Sequence, residues 1–445
     1  MSSLPLLRNF ELDSVFAYQG GASIRARDFL RDVRQLAQKL PESAYVLNVC
    51  TDRYRFCVGF AAALLQRQIT LLPPNQTRDM LERLASHYAG LYRLTDANDD
   101  IGSALPTMVF PDLGSFTPAA TSIPGIPASQ TAAVMFTSGS TGEPLPHAKT
   151  WGALVESGTA EGARLGLTGS RAALLGTVPA QHMYGLESTL MMPLQGGIAM
   201  HGGRPFYPAD VCDAIEALPR PRVLVTTPVH LRTLVCEAST FPALDLIICA
   251  TAPLTPQLAA QAEAHFGCPL HEIYGCTEAG QVATRRTVET AEWQVLPDIT
   301  IRQDEKGAWV SGGHVHGEIL LNDMIELRDH DRFVLHGRKA DLVNIAGKRT
   351  SLAHLNYHLN SIEGVRDGVF IVPEEDGASV ARLMAFVVAP GVSRNAILEA
   401  LRARVDPAFM PRPLSFVPAL PRNATGKMPH AALQALASEV AAGDR

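Results

Sequence analysis

The sequence predicts an α/β protein: a large N-terminal domain of doubly wound sheets with helices on both faces, then a small α+β C-terminal domain. Three observations predict it. From residue 24, segments of helical and strand periodicity alternate, a pattern that lays parallel strands under helices. At 445 residues the chain exceeds one ordinary domain. Its 47% hydrophobic and 18% charged residues supply a sizeable core.

The elements follow in order. Phe29, Val33, Leu36, Ala37 and Leu40 fall on one helical face. Residues 45–50 form a short strand, and residues 54–66 an apolar helix carrying Phe56, Phe60, Ala63 and Leu64. The strand 69–72 is stopped by Pro73-Pro74. Residues 117–130, rich in Pro, Ser, Thr and Ala, read as a connecting loop. Residues 132–136 are short, apolar and β-prone, so they read as a buried strand. A second strand–helix–strand run spans 223–227 and 244–250. Beyond residue 340 the strands 369–372 and 383–388 and a helix over 394–405, capped by Ser393, make a compact unit.

Composition excludes several classes. Thirty-eight Lys and Arg against 44 Asp and Glu give a net charge of −6, with no basic run, so no nucleic acid partner is expected. No run of eighteen apolar residues spans a membrane. No secretion signal opens the chain. The seven cysteines are scattered and read as reduced thiols of a cytoplasmic protein.

The stretch that organises the chain is Phe-Thr-Ser-Gly-Ser-Thr-Gly at 136–142. Glycine lets the backbone approach a ligand closely, and hydroxyls with bare N–H groups then surround phosphate oxygens. It lacks the lysine and spacing of a P-loop. Alone, such a run also reads as a polar surface turn. Downstream lie Tyr274-Gly-Cys-Thr-Glu278, Gly337-Arg338 with Gly347-Lys-Arg349, and Pro421-Arg-Asn-Ala-Thr-Gly-Lys427. A tyrosine ring can stack on a base, and a glutamate is a hard oxygen ligand for Mg²⁺ on phosphates. His314-Val-His316 places two imidazoles on one side of a strand, but no third ligand stands nearby, so they read as ordinary strand residues.

In order and spacing these motifs resemble the adenylate-forming enzymes, which include acyl-CoA and aryl-CoA ligases, peptide-synthetase adenylation domains and firefly luciferase. The resemblance spans nearly the whole chain. It implies that Thr137, Ser138, Gly139, Ser140, Thr141 and Gly142 surround the phosphates of ATP. It sets Ala252, in Ala250-Thr-Ala-Pro-Leu254, against adenine, with Tyr274 stacked on the base beside Gly275. Thr277 then bonds the α-phosphate and Glu278 holds Mg²⁺. Asp323, in Leu321-Asn-Asp323, holds the ribose hydroxyls, and Arg338 helps bind ribose and phosphate. The segment 178–186 resembles one wall of the carboxylate pocket, with His182 as its gate and Tyr184 and Ser188 facing the acyl or aryl group. A large domain, 1–338, then gives way at a hinge to a small mobile domain, 339–445. Lys427 covers the reacting α-phosphate, and Gly347, Lys348 and Arg349 line the thiol path.

This chain departs from the family in places. Leu145 stands where a lysine is usual; Lys149, four residues on, either reaches the same phosphates or is a solvated loop lysine. Ala340 stands at the hinge in place of Asp or Lys, and Pro429 and His430 stand where an arginine is usual.

The reaction implied is ATP-dependent formation of an acyl-adenylate and transfer to a pantetheine thiol, on coenzyme A or on an acyl carrier protein. The compact N-terminal region, Tyr184 and Lys149-Thr-Trp151 resemble ligases that activate hydroxybenzoate or hydroxycinnamate for aryl-polyene pigments. A fatty acid is the other substrate reading, and a non-catalytic acyl- or nucleotide-binding relative the alternative of another class.

Overall fold

In the computed structural model, residues 2–97, 105–114, 120–138, 144–236, 241–338, 342–345, 348–373, 383–423 and 426–443 are described. Two large sheets carry the N-terminal part. Among the described residues the first has six strands. Its parallel core runs Thr107–Val109, Tyr92–Thr95, Tyr45–Asn48, Ile69–Leu72, Thr131–Ser138. Pro144–Thr150 then closes the edge antiparallel to Thr131–Ser138. The second sheet has eleven strands among the described residues. Its parallel centre is Ala199–His201, Ala173–Gly176, Arg222–Thr226, Leu246–Cys249 and Leu270–Cys276.

The central strands are buried on both faces, and they read as apolar runs for that reason. Leu246–Cys249 has all four residues buried. The helix Arg53–Leu65 is apolar all round and almost wholly buried, as an inner helix must be. Asp52 accepts from the Arg55 N–H and caps it. The helix Trp151–Arg164 leaves the hairpin of Thr131–Ser138 and Pro144–Thr150 at once. Thr150 caps it through the Ala153 N–H at 3.2 Å, and Trp151, fully buried, donates its indole N–H to Leu4 O. A cap of this kind contributes about 1 kcal/mol.

The C-terminal part is built on the sheet Asp367–Ile371, Met384–Val388, Leu414–Phe416, with helices Leu352–Asn360, Arg394–Arg402 and His430–Gly443. Ser393 caps the second of these, as its position predicts. The last strand of the large sheet, Arg332–Arg338, meets this unit: Ser351 Oγ donates to His336 O at 3.2 Å. The hinge expectation at Ala340 lies outside the described residues.

Two stretches differ from expectation. The loop predicted over 117–130 contains a strand, Gly125–Pro127, paired with Ser3–Pro5. The hairpin Val15–Gln19 and Ala22–Arg25 carries too little apolar alternation to be seen, and it joins the large sheet through Ala199–His201, far along the chain.

Candidate active site

The strand Leu270–Cys276 turns back into Gly280–Arg285, and the turn carries Thr277 and Glu278, both half-buried. Gly275 permits the turn. A Cβ there would lie 2.4 Å from Gly280 O. The Glu278 carboxylate makes no ion pair among the described residues. A half-exposed hard oxygen donor of this kind fits Mg²⁺. Lys149 fixes the turn from beneath: its Nζ donates to Glu278 O at 2.6 Å. Lys149 is 7% exposed and lies inside the strand Pro144–Thr150, so it is not a solvated loop lysine. Leu145, in the usual lysine position, is exposed. The same hairpin places Thr137 Oγ1 2.9 Å from His147 Nε2. Gly139, Ser140, Thr141 and Gly142 lie outside the described residues, as does the side chain of Ser138.

Tyr274 donates its hydroxyl to Asp323 Oδ2 at 2.7 Å. Tyr274 is 8% exposed and packs against Trp293 and Phe333 at centroid distances of 5.6 and 5.5 Å. Its ring belongs to the core, and its hydroxyl orients the Asp323 carboxylate. Asp323 pairs with Arg338 in register across two strands; the Arg338 side chain lies outside the described residues. Ala252, half-buried, follows Thr251, which holds φ at +84° at the mouth of the strand Leu246–Cys249. That left-handed backbone is costly for a β-branched residue, and such strain gathers where a site over-determines the chain.

The C-terminal unit reaches this place through its final loop. A Cβ on Gly426 (φ +76°) would lie 3.1 Å from Val229 Cγ2 and 3.8 Å from Thr227 Oγ1. Lys427 follows, with its N–H bonded to Asn423 Oδ1 at 2.9 Å. Arg422 braces the loop by donating to Gly426 O at 2.6 Å while paired with Asp367. Burial pushes the His182 imidazole down to about 4, and the charges of Lys427 and Arg204 add to the shift. His182 is therefore neutral at pH 7 and shares its surroundings with Lys427. Beside them a cleft of about 480 Å³ is lined by Thr51, Asp52, Gly203 and Arg204.

The pocket-wall expectation is corrected in two residues. The Tyr184 hydroxyl meets Thr226 O at 3.1 Å and Ile248 O at 3.0 Å, so it is spent on the ends of two parallel strands. Only its half-buried ring can face a substrate. Ser188 is fully buried and accepts from Gln281 Nε2 at 3.2 Å; it lies behind any open wall. Of the thiol-path residues, Lys348 is exposed and pairs with Asp406 at 2.6 Å. Gly347 and the Arg349 side chain lie outside the described residues.

Sequence reasoning missed a buried polar layer. Glu187 accepts from Ser157 Oγ at 2.6 Å and from the Gln281 N–H at 3.3 Å, and burial pushes its carboxyl up to about 7. His314 is buried just before the strand Val315–Leu320, while His316 Nε2 lies 3.0 Å from Thr150 Oγ1. His316 is an exposed residue of that strand, as expected, and His314 lies one residue before it. They also form no metal cluster among the described residues, where the one acidic group close enough is Asp329, His330 and Asp331 at the surface. Arg53, fully buried, donates to Gly176 O at 2.7 Å and Val178 O at 2.9 Å, and so tethers the segment that leads to His182.

Two wound sheets, a turn bearing a carboxylate and a terminal lysine loop seated on the large unit define a class, the two-part adenylate-forming fold. ATP-bound MatB from Rhodopseudomonas palustris superposes with a TM-score of 0.81 at 18% identity, covering 97% of each chain. o-Succinylbenzoate CoA synthetase (MenE) from Bacillus subtilis, in complex with the acyl-adenylate OSB-AMP, gives 0.81 at 19%, over 96% of this chain and 97% of that one. Residues 35–327 match the AMP-binding enzyme family, and the chain belongs to it. The 4-coumarate–CoA ligase of Rhodobacter capsulatus is 28% identical over 305 residues, 67% of this chain and 75% of that protein. A 3-hydroxybenzoate–CoA/4-hydroxybenzoate–CoA ligase of Thauera aromatica is 29% identical over 166 residues, 36% of this chain and 29% of that protein.

Proposed function

We propose that this protein is an ATP-dependent, AMP-forming ligase that activates a hydroxylated aromatic carboxylic acid and passes it to a pantetheine thiol. The observation that carries this reading is the seat of Gly426 on Thr227 and Val229, which brings Lys427 beside His182. A carboxylate and ATP repel each other, and a cation at the α-phosphate offsets that repulsion as charge develops. Lys427 is that cation. The carboxylate oxygen attacks the α-phosphorus, the bond to pyrophosphate breaks, and an acyl-adenylate results. Thr277 holds the α-phosphate, Asp323 the ribose, and Ala252 the face of the base. Glu278 would hold Mg²⁺, which neutralises phosphate charge when bound. Neutral His182 closes the pocket without placing a charge beside the carboxylate.

In the second step the thiol sulfur attacks the acyl carbonyl, loses its proton, and AMP departs. The thiol belongs to coenzyme A or to an acyl carrier protein. The names of the relatives, 4-coumarate and hydroxybenzoate ligases, support an aryl acid. Seven free cysteines support a reducing, cytoplasmic setting, and no helix among the described residues is long and apolar enough to cross a membrane. The test is carboxylate-dependent ATP–pyrophosphate exchange with hydroxybenzoates, hydroxycinnamates and medium-chain fatty acids, followed by thioester assay with coenzyme A and with a phosphopantetheinylated carrier protein. Exchange with the aryl acids is expected. Preference for the fatty acids overturns the substrate class, and no exchange with any acid overturns the activity.

A further inference from the structure

The turn that bears Thr277 and Glu278 is gripped at its return by the helical run that follows His182. That run is Met183–Leu186, the π-turn Glu187–Met191 and Met192–Gly196. π-turns are rare and gather at functional sites. Here the first two residues of the π-turn both reach Gln281, on the strand Gly280–Arg285. Glu187 Oε1 accepts from the Gln281 N–H at 3.3 Å, and Ser188 Oγ accepts from Gln281 Nε2 at 3.2 Å. Gln281 Nε2 also donates to Glu161 Oε2 at 2.8 Å. These side chains are all buried.

The backbone is shaped for this approach. Gly280 holds φ at +83°, and a Cβ on it would lie 2.7 Å from Glu187 Oε1 and 3.3 Å from His314 Nε2. Glycine lets the strand come this close to the carboxylate. From the other side Ser157 Oγ, on the helix Trp151–Arg164, donates to the same oxygen at 2.6 Å. Lys149 holds the other part of the turn, at Glu278 O. One turn thus has a basic side chain at Glu278 and an acidic one at Gln281. Burial disfavours the charged form of each, and the charge of each favours it in the other. A buried carboxyl is costly to keep, and an apolar side chain would fill the same space more cheaply. What Glu187 contributes is registration between two walls.

We propose that Glu187 is a positioning residue: through Gln281 it fixes the Thr277–Glu278 turn against the His182–Tyr184 wall, and so sets the spacing between the α-phosphate and the acid's carboxylate. This rests on the ligase reading and adds a residue to it. Reacting atoms must be held within about 3–3.5 Å for attack. Slack in this grip therefore slows the chemical step more than it weakens the binding of either reactant.

The test measures pyrophosphate exchange by the full chain with 4-hydroxybenzoate, 4-coumarate and octanoate, and the fastest of these acids is used for the variants. They are Glu187→Leu, Glu187→Gln and Ser157→Ala, with melting temperature as the control of folding. Glu187→Leu removes both hydrogen bonds and should lower kcat roughly tenfold to a hundredfold, the cost of a small misplacement of the reacting groups. KM for MgATP and for the acid should stay within about threefold. Glu187→Gln keeps an oxygen for both donors and should recover most of the loss. Ser157→Ala leaves the carboxylate one donor of the two and should lower kcat severalfold with the same split. A lower melting temperature with kcat intact makes Glu187 merely structural and overturns the proposal. A rise in KM that accounts for the whole loss also overturns it. So does a Glu187→Gln variant as slow as Glu187→Leu, because charge and not the grip would then be what matters. If Glu187→Leu fails to fold, Ser157→Ala decides by the same split. No exchange by wild type with any acid defeats the ligase reading itself, a result distinct from any pattern among the variants.

Discussion

His182 shows how a single residue is set by its surroundings. An imidazole normally titrates near 6.5, but burial and two nearby cations hold it near 4 in the folded protein. The folded state therefore disfavours the protonated form, and its contribution to stability is present above pH 6.5 and lost as pH falls toward 4. The melting temperature should fall over that window, and His182→Asn should flatten the fall. A proton NMR titration should find this ring still neutral at pH 5.5. An imidazole titrating near 6.5 would put the ring in open solvent. Residue identity alone did not carry this, because the shift comes first from burial in the fold, with the charges of Lys427 and Arg204, distant in sequence, adding to it. Glu161 was legible in the sequence, although no motif singles it out. Leu154, Gly158 and Glu161 recur at helical spacing, all buried, so the periodicity already placed an acid on the inner face. The motif match named Tyr184 and Ser188 as neighbours of the substrate. It did not tell which of their atoms the core had already used.

At the scale of elements, the hairpin of Thr131–Ser138 and Pro144–Thr150 does two things at once. Its tip carries the Thr-Ser-Gly run, and its inner face sends Lys149 under the Thr277–Glu278 turn. Lys149→Met keeps length and removes the donor, leaving Glu278 O without it. The expected outcome is a roughly tenfold higher Mg²⁺ requirement for half-maximal adenylate formation, the size of one lost charge-assisted bond. The melting temperature should change little, because relieving a buried charge offsets the loss. An unchanged Mg²⁺ dependence would mean that the turn holds itself. The strands of the parallel cores were legible because burial on both faces leaves them as apolar runs, and Ile69–Leu72 matches its expected bounds. Pro144–Thr150 was not. It carries Pro, His and Lys, and its strand character comes from pairing along Thr131–Ser138.

For the molecule as a whole, the proposed reaction divides its two steps between the large and small units. Lys427→Ala should slow adenylate formation by about 10²–10³, while thioester formation from supplied acyl-adenylate stays near wild type. A bulky side chain at Gly347 should do the reverse and spare pyrophosphate exchange. Single-turnover assays of each half-reaction distinguish the two. Equal damage to both steps by Lys427→Ala would make the lysine a structural one. The two-part architecture was legible because its motifs are spread along the chain in a fixed order. How the units meet was not: Ser351 on His336 and Gly426 on Val229 are contacts between segments with no local signature.

The seat of Gly426 also sets a manufacturing tolerance. Val229 leaves no room for a methyl group without a shift of a few tenths of an ångström, and a φ of +76° is one that residues with a side chain rarely adopt. A residue with a side chain at this position would hold the loop off its seat on Val229, and with it the lysine that follows.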